Sequence, residues 1–330
     1  MRHPQKGFSL VELMIAITLA LIVVGAIGYF YLGTRQAYRS TDNLSQLQEN
    51  QRVALDVIAR DIRMAGYVGC VNINGSQVNV IANSPPSLTP STMAQIHKNG
   101  AGWTPPPGYT RVPNTDVIEV RFASGSSNVQ SQSSPTANVK IYGNPANFAA
   151  GDVLMVSDCS STDIFRTTTV SANGGLVTIA HASNANSANF FGIAPSYKVY
   201  NANATIMAFH DVSYFIGTNT AGNPALYRFD ADVAAAAPEE IAENVENMQA
   251  QYGLDIDGDA AVDAYTTNTV IPAGANVVAL QVGMAFVGTD NYVGTSNQTY
   301  YLLGAAYPAA NTRLRQAANI TVVLRNQALF

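Results

Sequence analysis

The 330-residue chain has few charged side chains, one tryptophan and only two cysteines. Lys, Arg, Asp and Glu together make up 12% of the residues, and the formal net charge is −5 at pH 7. A mildly acidic chain without clusters of basic residues lacks the electrostatic surface that nucleic-acid-binding proteins use. We therefore expect no direct binding of nucleic acid by the main body of the protein.

Histidine and the common catalytic motifs are also scarce. His3, His97, His181 and His210 are the only histidines, and none has the spacing of a metal site such as HExxH. The sequence contains no GxSxG, no GxxxxGK[ST] and no GxGxxG that opens a helix. Isolated histidines are more often surface or hydrogen-bonded residues than catalytic ones. The sequence therefore predicts a protein that is not an enzyme.

One long hydrophobic run is present, close to the N-terminus. Residues 1–7 carry Arg2 and Lys6, and an apolar segment follows directly from Phe8 to Leu32. A run of ~20 apolar residues is long enough to span a bilayer as a helix. By the positive-inside rule, the basic leader lies in the cytoplasm and the bulk of the chain lies in the periplasm, anchored by a single span of the inner membrane.

A single carboxylate, Glu12, interrupts this run. A charge at the centre of a spanning helix costs roughly 2.5–3.5 kcal/mol, and such residues are usually paired and functional. A cleaved secretory signal, with Ala26-Ile27-Gly28 as a loose cleavage site, is one alternative for the segment. An ordinary signal anchor is another. Neither explains Glu12, or an apolar run that begins directly after Gly7.

The residues Gly7-Phe8-Ser9-Leu10-Val11-Glu12 resemble the leader junction of type IV prepilins and type II secretion pseudopilins. The resemblance implies that a prepilin peptidase cleaves between Gly7 and Phe8 and that the new amine of Phe8 is methylated. It also implies that Glu12 pairs with the Phe8 amine of a neighbouring subunit and sets the axial register. Loss of Arg2 and Lys6 with the leader lowers the formal charge from −5 to −7.

Helical periodicity continues beyond the apolar run but becomes amphipathic over residues 34–66. Apolar residues recur at helical spacing, with Gln51 in the missing turn, at Leu44, Leu47, Leu55, Ile58, Ile62 and Ala65. No proline lies between Phe8 and Ala65, and Gly66 is a helix stop. We expect one long helix, with a membrane-spanning or filament-core half at 8–33 and a half at 34–66 that packs on a domain.

The segments Arg60–Cys70 and Leu314–Arg325 resemble the PilW group of minor pilins. The resemblance implies a minor subunit that acts in the priming or tip complex of a type IV pilus. Its expected partners are other minor pilins, the major pilin and the prepilin peptidase, with a tip adhesin as a further candidate. The expected location is the inner membrane and then the pilus (fimbrium) at the cell surface.

Residues 67–330 have the pattern of a large antiparallel β domain, so the predicted fold class is α+β. We expect mostly loop at 71–113, with Trp103 either tucked over the domain or in contact with a partner, and a polar linker at 124–138. Strands are predicted at 117–122, 153–157, 165–170, 176–180, 197–200, 205–216, 226–229, 246–254, 277–287, 300–303 and 320–325.

Cys70 and Cys159 are predicted to form a disulfide. The domain is expected to lie outside the inner membrane, where oxidising conditions are available, and a single bridge is the natural use of two cysteines. Two buried free thiols are the alternative. Redox catalysis is excluded by the absence of CxxC.

The segment Asp255–Asp263 places carboxylates at alternating positions of a tight loop, at Asp255, Asp257, Asp259 and Asp263. Ca²⁺ takes six to eight hard oxygen ligands, and the backbone carbonyl of Ala261 would supply another. The loop lacks the glycine and the bidentate glutamate of an EF-hand, so we expect a looser Ca²⁺ site between two strands. A solvated acidic hairpin without metal is the alternative.

Two other functions share parts of this pattern. A type II secretion minor pseudopilin has the same leader, long helix and β domain. A signal-anchored, calcium-dependent surface binding protein would use the Asp loop but would never enter a filament.

Overall fold

The computed structural model describes residues 9–70, 77–83, 92–289, 298–309 and 311–326. One long helix, α1 (Leu10–Met64), is followed by a domain built of strands that pair almost entirely antiparallel. The predicted α+β fold class is confirmed. The helix has 55 residues and is therefore about 83 Å long.

Both ends of α1 have local signals that explain them. Ser9 is the N-cap, and its hydroxyl accepts from the backbone N–H of Glu12 at 3.2 Å. The Glu12 carboxylate in turn accepts from the Ser9 N–H at 2.9 Å, which completes a capping box. At the other end, Gly66 has a φ of +75°, a left-handed value that suits the helix stop predicted there.

The domain contains nineteen strands among the described residues. In chain order they are β1 Gln77–Val80, β2 Ala94–His97, β3 Val117–Ser131, β4 Val139–Tyr142, β5 Val153–Ser157, β6 Ser161–Arg166, β7 Thr169–Asn173, β8 Leu176–Ala180, β9 Phe191–Ile193, β10 Ser196–Lys198, β11 Thr205–Thr218, β12 Pro224–Asp230, β13 Glu239–Glu243, β14 Val245–Asp255, β15 Ala264–Thr266, β16 Asn276–Val287, β17 Thr299–Leu302, β18 Ala305–Pro308 and β19 Arg315–Val323.

The two long strands β3 and β11 form the centre of an eleven-stranded sheet. They pair with each other, and each has two further neighbours that occupy different halves of its length. β11 pairs with β5 over residues 205–208 and with β12 over 212–218. β3 pairs with β2 over 117–120 and with β4 near 129–131. The sheet therefore divides into two wings at the middle of β3 and β11.

A second sheet has four strands in the order β15-β14-β16-β19. β16 lies between β14 and β19, and its nearly continuous apolar sequence suits this central position. β9 with β10, and β17 with β18, form separate two-stranded hairpins.

The main core lies where the second half of α1 meets both sheets. It contains Leu47, Ala54, Ile58 and Ile62 from the helix, together with alternate side chains of β3, β11, β14 and β16. The core also includes four alternate residues of β14, namely Met248, Ala250, Tyr252 and Leu254. A second hydrophobic cluster packs against β4, β5, β6 and β8 of the large sheet.

The structure corrects several expectations. Leu44 is 42% exposed, so the apolar part of the packed helix face begins at Leu47, one turn after the buried Asn43. The polar segment after Phe122 is not a linker, because β3 continues to Ser131 and β4 follows. The region expected to be loop contains β1 and β2. These strands are short or polar, so their pairing partners decide their conformation more than their composition does.

Candidate functional site: the long helix and its attachment to the domain

The first half of α1 exposes its apolar side chains. Leu10, Leu21, Ile22 and Phe30 are all exposed, at 74%, 66%, 67% and 76% respectively. Among the described residues, α1 is the one helix that could cross a membrane by length and composition. An apolar surface of this extent needs lipid or other helices to cover it.

Glu12 lies in this exposed stretch, and its carboxylate is held at the helix N-terminus by the capping box with Ser9. The helix dipole favours a negative charge at this end. The predicted cleavage and methylation residues, Gly7 and Phe8, lie outside the described residues. Their roles and the pairing of Glu12 with a neighbouring amine therefore stay predictions.

The second half of α1 is attached to the domain through a buried carboxylate. Asp61 is 2% exposed, and its Oδ2 accepts from the hydroxyl of Tyr214 and from Nε of Arg228, each at 2.8 Å. Burial and the Asp61 charge raise the pKa of Tyr214. Arg60 Nε lies 3.5 Å from the other oxygen of Asp61. This site links the helix to β11 and β12. No local sequence pattern predicts it, because the partners of Asp61 lie more than 150 positions further along the chain.

Three asparagines add polar contacts along the same helix. Asn43 is buried and accepts from the N–H and hydroxyl of Thr289 at 3.1 and 2.9 Å. Asn50 donates to the carbonyl of Glu243 at 3.0 Å. Asn326, near the end of the described chain, donates to the carbonyl of Ala65 at 3.0 Å, past the helix C-terminus.

The predicted disulfide between Cys70 and Cys159 is confirmed. Cys70 follows the helix by six residues, and Cys159 lies in the turn between β5 and β6. The bond therefore ties the chain leaving α1 to the large sheet.

Trp103 packs on the domain, which is one of the two alternatives predicted for it. Its ring packs 4.9 Å from that of Phe215, and its Nε1 donates to Ser213 at 3.0 Å.

The structure brings together three of the predicted calcium ligands. Carboxylate oxygens of Asp255, Asp257 and Asp263 all lie within 4.8 Å of one another. Asp259 is not part of this group, and its Oδ1 accepts from the N–H of Ala261 at 2.8 Å. The oxygen donors fit a hard cation such as Ca²⁺, but these three carboxylates supply fewer ligands than the six to eight it takes. All three also accept backbone N–H groups from within the loop: Asp255 from Gly258 and Ala260, Asp257 from Asp259, and Asp263 from Ile256. The metal site, including the Ala261 carbonyl, stays a prediction.

The three described histidines all have hydrogen-bond partners, which is one of the two alternatives predicted for them. His97 Nε2 lies 3.0 Å from Glu119, and His181 Nε2 lies 3.1 Å from the carbonyl of Ala137. His210 lies between Ser124 and Asp230, at 2.7 and 2.6 Å. Local sequence spacing does not predict these contacts, because the fold brings the partners together from distant positions in the chain.

A buried cluster of charges lies beside His210. Arg121 contacts Glu119 at 2.8 Å and Asp211 at 3.2 Å, and all three side chains are largely buried. Burial raises the pKa of Asp211 to about 8, although the charge of Arg121 opposes the shift. Burial similarly raises the pKa of Asp232 to about 6, against the charge of Arg166.

Comparison with known proteins agrees with the helix and the domain. A family model described as "Type IV Pilus-assembly protein W" matches residues 213–326, and one described as "Prokaryotic N-terminal methylation motif" matches residues 2–28. The chain is also 36% identical over 63 residues to the pilin-like protein PilA3 of Thermus thermophilus. That stretch is 19% of this chain and 27% of the relative, so the chain spans about a quarter of the relative's length. No solved structure matches the chain.

The apolar helix, the methylation motif and these matches define a type IV pilin-like protein. Within that class, the match to the PilW family model runs over residues 213–326, from the second half of β11 to β19, and covers about a third of the chain. The junction at Arg60–Cys70, which carried part of the predicted resemblance, lies outside the matched residues. Pilus-assembly families are generally non-enzymatic, and the motif and the apolar helix are those of a membrane-anchored pilin.

Proposed function

We propose that the chain is a minor pilin that takes part in type IV pilus assembly, in the priming or tip complex. The observation that carries the proposal is the division of α1 into two halves with opposite surroundings. Residues 10–32 are exposed and apolar, whereas the helix from Leu47 onward is packed into the domain core. Such a helix can exchange lipid for the helices of neighbouring subunits while the domain stays folded.

The proposed pathway begins with the chain in the inner membrane, its basic leader in the cytoplasm and its domain in the periplasm. Prepilin peptidase cleaves between Gly7 and Phe8, and the amine of Phe8 is methylated. Glu12 then pairs with the Phe8 amine of a neighbouring subunit, another minor pilin or the major pilin. Two opposite charges in an apolar bundle are costly separately and far less costly together, which supports a role for this pair in the axial register.

Peptidase treatment tests the proposal first. The full-length protein in detergent is incubated with prepilin peptidase, and the N-terminus is determined by mass spectrometry. We expect a loss of residues 1–7 and a methylated Phe8 when the methyl donor is present. An unchanged N-terminus would contradict this proposal and the secretion pseudopilin alternative alike, and would leave the signal-anchored surface protein.

Glu12→Ala tests the role in the filament. We expect fewer pili and reduced incorporation of the variant, with Asp56→Ala, an exposed carboxylate on the same helix, as the matched control. Pilus number and incorporation equal to wild type would reject the register role. Rescue of pili, rather than of protein secretion, in a deletion strain separates the pilus from the type II secretion alternative.

The grouping of Asp255, Asp257 and Asp263, without Asp259, allows a direct test of the predicted calcium site. Titration calorimetry with Ca²⁺ is expected to show heat for the wild type and for Asp259→Asn, which lies outside the carboxylate group, but not for Asp257→Asn. No heat from the wild type at millimolar Ca²⁺ would leave the loop as a solvated acidic hairpin.

A further inference from the structure

Three side chains from three adjacent strands form a continuous hydrogen-bonded line. Ser124 Oγ on β3 lies 2.7 Å from Nε2 of His210 on β11, and His210 Nδ1 lies 2.6 Å from Oδ2 of Asp230 on β12. An ionised aspartate can only accept, so Nδ1 carries the proton and Nε2 accepts from the serine hydroxyl. This is the arrangement in which an imidazole can take a serine proton as a general base.

The two partners of Ser124 are held in place from behind. Oδ1 of Asp230 accepts from the backbone N–H groups of Asp211 and Asp232, each at 3.3 Å. The ring of His210 packs on that of Phe122, with 5.1 Å between centroids. Asp230 is buried, at 8% exposure. The acid end of the line is therefore rigid and shielded from water, as an orienting carboxylate needs to be.

The serine end lies at an irregularity of the sheet that faces solvent. Ser124 pairs with Ala208 and Ser126 with Met207, so Gly125 is an extra residue without a register partner on β11. Gly125 is exposed and has a φ of +60°. A bulge of this kind re-aims the neighbouring side chain and leaves the backbone N–H of its extra residue outside the ladder. The N–H of the residue after a nucleophilic serine is a common donor to the oxyanion of acyl transfer.

A cavity lies one residue beyond the bulge on β3, and its lining does not include Ser124 or Gly125. A surface cavity of about 610 Å³ begins at Ser126, two residues beyond Ser124, and is lined further by Gln130, Tyr142 and Pro145. None of the residues that line it carries a charge, so the cavity suits a small uncharged group.

We propose that Ser124, His210 and Asp230 form an acyl-transfer site that hydrolyses small, uncharged esters. Ser124 Oγ attacks the ester carbonyl carbon, and its proton passes to Nε2 of His210. The carbon–oxygen bond to the alcohol breaks, and the alcohol leaves with that proton, so that Ser124 carries the acyl group. A water molecule then gives a proton to Nε2 of His210 and attacks the acyl carbon. The bond between that carbon and Ser124 Oγ breaks, Oγ takes the proton back from His210, and the acid is released. Asp230 accepts from Nδ1–H of His210 and orients the imidazole.

A fluorophosphonate probe tests this site directly, because it phosphonylates an activated serine with loss of fluoride. The full-length protein in detergent is treated with the probe, and the labelled residue is mapped by mass spectrometry. We expect label on Ser124 in the wild type and in Ser171→Ala, an exposed serine on β7, and none on Ser124→Ala. A wild-type protein without label, or with label at other serines only, would overturn the proposal.

The imidazole is tested through the rate of labelling and through hydrolysis of p-nitrophenyl acetate. His210→Gln is expected to lower both rates by roughly 10²-fold or more, the usual contribution of a general base, while His97→Gln leaves them unchanged. Melting temperatures of all variants are measured in parallel. Equal rates for folded His210→Gln and wild type would reject the site, and the wild-type labelling decides the question if that variant does not fold. None of these outcomes depends on the protein's place in the pilus.

Discussion

Replacing Asp61 with alanine tests how the long helix is attached to the domain. The carboxylate is buried and accepts from Tyr214 and Arg228, so its removal leaves a buried hydroxyl and a partly buried guanidinium without their acceptor. Breaking a buried pair by removing one partner typically costs about 3–5 kcal/mol. At roughly 2–4 °C per kcal/mol for a domain of about this size, the melting temperature should fall on the order of 10 °C.

The assay is thermal and denaturant unfolding of the full-length protein in detergent, followed by tyrosine and tryptophan fluorescence. Asp56→Ala on the exposed face of the helix is the control, with an expected change within about 0.5 kcal/mol. Asp61→Asn keeps the shape and one acceptor, and is expected to lie between the two. Tyr214→Phe removes one hydrogen bond and should cost about 1 kcal/mol.

A double-mutant cycle then isolates the contact itself. Asp61→Ala and Tyr214→Phe share one hydrogen bond, so their combined cost should be smaller than the sum of the two single costs by about 1 kcal/mol. If Asp61→Ala is no more destabilising than Asp56→Ala, or if the two costs are strictly additive, the reasoning about this attachment is wrong.

Three further predictions concern the domain. Reduction, or Cys70→Ser with Cys159→Ser, should destabilise the protein by about 4 kcal/mol in the chain-entropy model, because the disulfide spans 89 positions; native thiol titration should find no free thiol, and two would refute the bond. The melting temperature should fall as the pH rises from about 4 to about 8. In the folded protein the pKa of Asp211 is raised to about 8, so Asp211 keeps a proton that it releases near pH 4 in the unfolded chain. Asp211→Asn should flatten that pH dependence, and an equally steep curve for this variant would assign the effect elsewhere. Trp103→Ala should cost about 3 kcal/mol by removing its packing on Phe215, whereas an unchanged midpoint would mean that the ring contributes no stability.

Most of the helix could be predicted from the sequence. Its apolar run, the absence of proline, the Ser9–Glu12 capping pattern and Gly66 are local features, and a helix depends mainly on residues within four positions of one another. Strands with strong alternation, such as β14, or with continuous apolar character, such as β16, were also predictable. The polar second half of β3 was not, because β11 and β4 hold it in the sheet despite its composition.

The sequence by itself determined the class of this protein, because the leader junction, Glu12 and the apolar run are contiguous and their chemistry requires no folded partner. It also predicted the disulfide, since two cysteines in the oxidising compartment expected for the domain have one simple pairing, and the structure decided between that pairing and two free thiols. Only the tertiary structure decided that Asp61 joins the helix to Tyr214 and Arg228, and that Ser124, His210 and Asp230 lie in one line. The physical reason is that these contacts form between strands and elements that are far apart in the chain, and no local spacing records which strands become neighbours.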